Sequence, residues 1–118
     1  MKSDIEQDKE EILQELKSLI SRCEKAQLKF KEGCSQYTLL KNRLHTLYTS
    51  KELIEKQIRT YSKEELEKAL PPILSIIHKC TKAQSKYEKG AAQYNRYLKT
   101  LRAMELSKEL IEDRMKNF

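Results

Sequence analysis

A chain of 118 residues with a formal net charge of +6 has room for one modest core, so a second independent domain is not expected. Charged residues make up 36% of it while Gly and Pro number two each, a mixture rich in Lys, Glu and Leu that speaks against a sheet protein or low-complexity sequence and for helices. No run approaches the ~18 apolar residues of a membrane span, Met1-Lys2-Ser3-Asp4-Ile5-Glu6 lacks the apolar stretch of a signal peptide, and three Cys show no disulfide framework, so the expectation is a cytoplasmic protein with reduced thiols.

The first helix opens at a capping-box pattern, Ser3 to Glu6. Its apolar stripe, Leu13, Leu16, Ile20, Cys23, Phe30 and Cys34, follows steps of three and four and is interrupted at Gln27. The phase then slips across Gly33, and glycine is the usual residue for ending a helix in a left-handed conformation. A tight turn is therefore expected at Gly33-Cys34-Ser35, with Ser35 able to cap the next helix. That helix carries Tyr37, Leu40, Leu44, Leu47, Lys51, Ile54 and Ile58 in one stripe.

The third helix starts at a second capping box, Ser62 to Glu65. Pro71-Pro72 removes two backbone donors, which predicts one or two turns from Ser62 to Ala69, then a fresh helix with the prolines in its first turn, shorter than the first helix. Its stripe is Leu70, Ile73, Ile77, Cys80, Tyr87 and Ala91, with Gln84 in the gap. A turn at Gly90-Ala91-Ala92 leads to the last stripe, Tyr94, Tyr97, Leu101, Met104, Lys108, Ile111 and Met115. The competing expectation is a continuous helix of about 55 residues through each glycine, long for a small domain.

These elements repeat. Displacing the sequence by 57 positions pairs residues 1–61 with 58–118 without a gap, and 19 of the 61 pairs are identical. Cys23 falls on Cys80, Gly33 on Gly90, and Ser-Lys-Glu-Leu-Ile-Glu at 50–55 recurs unchanged at 107–112. The expected fold is all-α: one domain, 1–118, in which repeats 1–57 and 58–118 are tandem helical hairpins forming an up-down-up-down four-helix bundle with a pseudo-two-fold axis.

Catalytic chemistry is poorly supplied. His45 falls opposite Arg102 and His78 opposite Ser21, the cysteines lack paired zinc-ligand spacing, and no Glu stands three residues before either His as di-iron bundles require. Two isolated glycines cannot make a phosphate loop, and no nucleophile motif is present. No enzyme, metal or cofactor is expected.

Three surfaces stand out instead. Gln27 and Gln84 interrupt apolar stripes at matched positions, and they are read as a core polar layer that fixes register, with ligand hydrogen bonding near Tyr37 and Tyr94 as the alternative. The repeated hexapeptide offers Lys51, Glu52 and Glu55 with Lys108, Glu109 and Glu112, read either as a solvated face with helical ion pairs or as a shared contact surface. Arg22, Lys25 and Lys29 with Lys79, Lys82 and Lys86 form one basic stripe per copy, a candidate polyanion-binding pole. The leading expectation is a non-catalytic protein-interaction or regulatory bundle with an unidentified protein partner and homodimerisation open. A nucleic-acid- or polyanion-binding protein is the alternative, and a small enzyme or ligand carrier the third.

Overall fold

The computed structural model describes residues 4–55 and 60–118, with side chains from Gln7 onward. Within them the chain is all-helical: α1 (Asp4–Gln27), α2 (Ser35–Ile54), α3 (Lys63–Gln84) and α4 (Ala92–Met115) form a helical bundle, and no strand occurs among the described residues. Ser3, Lys56 and Ile58, and with them the first capping box and the join at residues 57 and 58, lie outside the described residues. The second capping box is in place, since Ser62 is the N-cap of α3 and its hydroxyl accepts from the Glu65 amide at 3.1 Å.

The turns differ from the expectation in where the helices stop. Both odd-numbered helices end well before the glycine and tighten there, with Phe30 N–H donating to the Gln27 carbonyl at 3.1 Å and Tyr87 N–H to the Gln84 carbonyl at 3.0 Å, each a three-residue bond typical of a helix terminus. Residues 28–34 and 85–91 are links that each contain a tight turn at the glycine, closed by Cys34 N–H donating to the Lys31 carbonyl at 3.2 Å and Ala91 N–H to the Glu88 carbonyl at 3.1 Å. The turns thus lie at 31–34 and 88–91 rather than beginning at Gly33 and Gly90, and no helix runs through residue 33. Phe30, Cys34, Tyr87 and Ala91 consequently leave the helical stripes. Gly33 and Gly90 have φ of +94° and +91°, which L side chains rarely adopt, so glycine is required by the backbone and not by crowding. Cys34, not Ser35, is the N-cap of α2, and Ala91 that of α4; neither supplies a side-chain cap.

α3 also corrects the sequence reading. It runs unbroken through Pro71 and Pro72 for 22 residues against 24 in α1. The donors that the prolines lack would have met the carbonyls of Glu67 and Lys68, two exposed residues whose backbone water can serve. Buried Leu66 and Ala69 before the prolines, and Ile73 and Ile76 after them, pin both sides of the break to one core.

That core contains Leu16, Leu47, Leu66, Ile73, Met104 and Ile111, all without solvent exposure. α3 buries 66, 69, 73 and 76 rather than 70, 73, 77 and 80, a face turned slightly from the expected one. α2 and α4 also touch, and each buries small residues: Thr46, Thr49 and Ser50 on α2, and Thr100, Ala103 and Ser107 on α4. The Ser50 hydroxyl donates to the Thr46 carbonyl at 2.8 Å and the Ser107 hydroxyl to the Ala103 carbonyl at 2.7 Å, so neither needs a partner from another helix.

α1 packs along α2 and α3 along α4; α2 also touches α3, and α1 touches α4, whereas α1 and α3 nowhere come within 8 Å Cα to Cα. The molecule measures 42 × 40 × 23 Å. Four helices near-parallel around one axis would give one long dimension, about 36 Å for 24 residues, and two short ones. The second long dimension, 40 Å, is wider than such a column.

Candidate functional site

A groove lies between α1 and α2. Its floor is Ile20 and Leu44, which also belong to the core, and its walls are Leu28, Tyr37 and Tyr48. Leu28 follows the last residue of α1 and is 87% exposed, the most exposed of the large hydrophobic side chains. Lys17 and Lys25 from α1 and Lys41 and Lys51 from α2 stand around the rim, with Glu24 and His45. Tyr48 donates its hydroxyl to Glu24 Oε1 at 3.0 Å; partial desolvation and this carboxylate together push the phenol above its ordinary range.

The second helix pair carries contacts at the matching place that the first lacks among the described residues. Gln84 Nε2 donates to the Tyr94 carbonyl at 3.3 Å, and the rings of Tyr87 and Tyr97 stack with centroids 6.3 Å apart. Gln27, its counterpart, lines the open groove instead. Gln27 and Gln84 therefore do not form a core polar layer: both are half-buried, and each is the last residue of its helix. The side chain–backbone tie across α3 and α4 is the role that sequence reasoning missed, because the helix ends were placed too late.

A polar cluster lies where α1, α2, α3 and α4 converge. Glu15 Oε1 accepts from the Thr100 hydroxyl at 2.9 Å and from Arg22 Nη2 at 3.5 Å. Arg43 Nε and Nη2 are buried with no hydrogen-bond partner among the described residues. The guanidinium's charge is felt by both Cys23 and Cys80, whose thiols burial pushes above their ordinary range while Arg43 and Arg22 partly counteract it. These two thiols are free, as expected, but half-buried rather than buried. A disulfide between them is precluded, since α1 and α3 stay more than 8 Å apart at every Cα pair and a bridge needs less than about 7 Å.

The other candidate residues divide. Lys51 Nζ pairs with Glu55 at 2.9 Å and Lys108 with Glu112 at 3.9 Å. Glu52 is half-buried and accepts from the Tyr61 hydroxyl at 2.5 Å, whereas Glu109 is exposed, so the two hexapeptides present different surfaces. What they share lies inward: Ser50 and Leu53 with Ile54 in one, Ser107 with Ile111 in the other, are buried. Arg22, Lys25, Lys29, Lys79, Lys82 and Lys86 are all exposed, on helices α1 and α3 and the links after them. The two trios belong to helices with no Cα pair within 8 Å, so they are not carried by directly adjacent helices.

Among the described residues no group of three or more His, Cys, Asp or Glu is placed to hold a metal ion, and no helix is long and apolar enough to cross a membrane. Comparison of the chain with protein-family models, with curated proteins and with solved structures finds no match.

Proposed function

We propose that the chain is a non-catalytic, cytoplasmic protein-interaction bundle that binds a partner protein in the groove between α1 and α2. In this reading it is two tandem copies of one helical hairpin, 1–57 and 58–118, in up-down-up-down order about a pseudo-two-fold axis. The displacement of 57 residues between Gln27 and Gln84, between Ser35 and Ala92 and between the two left-handed glycines supports the duplication.

The observation that carries the function is Leu28, 87% exposed beside Tyr37 and Tyr48 over an apolar floor. Single exposed apolar residues are ordinary. A contiguous patch set in a groove and rimmed by polar groups marks a binding surface. The second pair differs at the matching place, where Gln84 bonds to the Tyr94 carbonyl and Tyr87 stacks on Tyr97, while Gln27 of the first lines the groove.

The test is affinity capture with the native chain and a Leu28→Asp/Tyr37→Ala variant whose circular dichroism is unchanged. A protein retained by the native chain and lost from the variant supports the reading. The same retained set on both baits overturns the groove as the binding surface.

A further inference from the structure

We infer that the partner presented to this groove is an acidic amphipathic helix, an inference that rests on the groove being the binding surface. Length sets the occupant's size: the rim runs along α1 from Lys17 to Leu28, a stretch of about 16 Å, which accommodates some three turns of a helix. A floor of Ile20 and Leu44 with aromatic walls suits apolar side chains spaced three and four apart on one face.

Charge sets the sign. Lys17, Lys25 and Lys41 line the groove with no ion-pair partner among the described residues, and Lys51 is joined to Glu55. The single carboxylate of the lining, Glu24, accepts from the Tyr48 hydroxyl and is outnumbered by the four lysines. The two long edges of the groove are thus both basic, Lys17 and Lys25 on α1 facing Lys41 and Lys51 on α2. A helix that buries an apolar face here and carries Asp and Glu on both flanks meets opposite charge along each edge, while a basic helix meets like charge on both. A second copy of this chain meets the groove with a net charge of +6 and is disfavoured on the same ground. A nucleic-acid strand would match the lysines but leave the apolar floor and Leu28 without a complement.

The experiment is selection of displayed, randomised helical peptides on the native full-length chain, with counter-selection on the Leu28→Asp/Tyr37→Ala variant. The enriched peptides are then titrated against native protein and a Lys17→Glu/Lys25→Glu/Lys41→Glu variant. Expected are amphipathic sequences with acidic flanks whose affinity falls about tenfold in the charge-reversed variant, in which three exposed pairs are lost, and falls again with added salt. Enrichment of neutral or basic peptides that still need Leu28 and Tyr37 overturns the acidic partner and leaves partner binding in the groove standing. No enrichment, or displacement of the acidic peptides by a mixed-sequence oligonucleotide at physiological salt, also overturns it. Peptides that bind the counter-selection variant equally well defeat the groove itself.

Discussion

Arg43 carries its charge at a place where the fold supplies no acceptor for two of its nitrogens, while its counterpart in the duplication, Thr100, is satisfied by Glu15. A buried charged group without partners is stabilised less by its surroundings than by water, and an apolar side chain of similar volume commonly improves stability there. Arg43→Leu is therefore expected to stabilise the fold by about 1 kcal/mol, the low end of the usual range because the residue is only partly buried. Urea unfolding with an unchanged slope measures it, and a loss of stability would show that the guanidinium has a partner that matters. The same change removes the charge that partly offsets burial at Cys23 and Cys80, so both thiols should react still more slowly with iodoacetamide at mildly alkaline pH. Their raised values also give stability a pH dependence of definite sign. The folded state favours the neutral thiol; that contribution is complete below the ordinary thiol range and is lost as pH rises through the raised folded values. Thermal melting that declines on the alkaline side in native protein, and less in a Cys23→Ala/Cys80→Ala variant, is the expected outcome; equal declines would assign the effect elsewhere.

The helices show which sequence signals carried structural information and which did not. Ser62 with Glu65 read correctly as a helix start because a cap is a local, four-residue chemistry. The prolines misled because their cost is local too, whereas what keeps α3 continuous is the burial of Leu66, Ala69, Ile73 and Ile76 against other helices. The hexapeptide was legible as unusual but not as to cause: its serines, Ser50 and Ser107, are fully buried, and a one-dimensional pattern does not say that a helix face needs a small residue there. The groove was least legible, since it depends on α1 ending at Gln27 and leaving Leu28 outside the helix. Two substitutions test the packing. Thr46→Val deletes the hydroxyl that donates to the Ala69 carbonyl at 2.5 Å, from α2 to α3 just before the prolines, and should cost about 1–2 kcal/mol in equilibrium unfolding. Ser50→Leu or Ser107→Leu forces bulk into a site with no exposure and should cost about 1–3 kcal/mol, while Ser107→Ala should be nearly neutral because that hydroxyl bonds only within its own helix. Tolerance of either leucine would mean that the surroundings of these buried serines are not tightly packed.

At the scale of the molecule, apolar stripes specify which face of each helix turns inward but not the angle at which helix pairs cross, so the 42 × 40 × 23 Å envelope could not be read from them. That geometry bears on the basic residues. The trios Arg22/Lys25/Lys29 and Lys79/Lys82/Lys86 belong to α1 and α3 and the links after them, helices with no Cα pair within 8 Å, and Arg22 is partly committed to Glu15 at 3.5 Å. Strong polyanion binding needs many phosphates engaged at once, because affinity grows with the number of counterions released. Two separated clusters of three engage a duplex weakly, and no tryptophan is present to stack on bases. The native chain should therefore be retained on mixed DNA and RNA at low salt and released at physiological salt, with a variant carrying Gln at all six positions released earlier. Retention of the native chain at physiological salt together with loss in the six-Gln variant would mean that the trios converge on one nucleic-acid strand, and polyanion binding would then replace partner-protein binding as the function of this bundle.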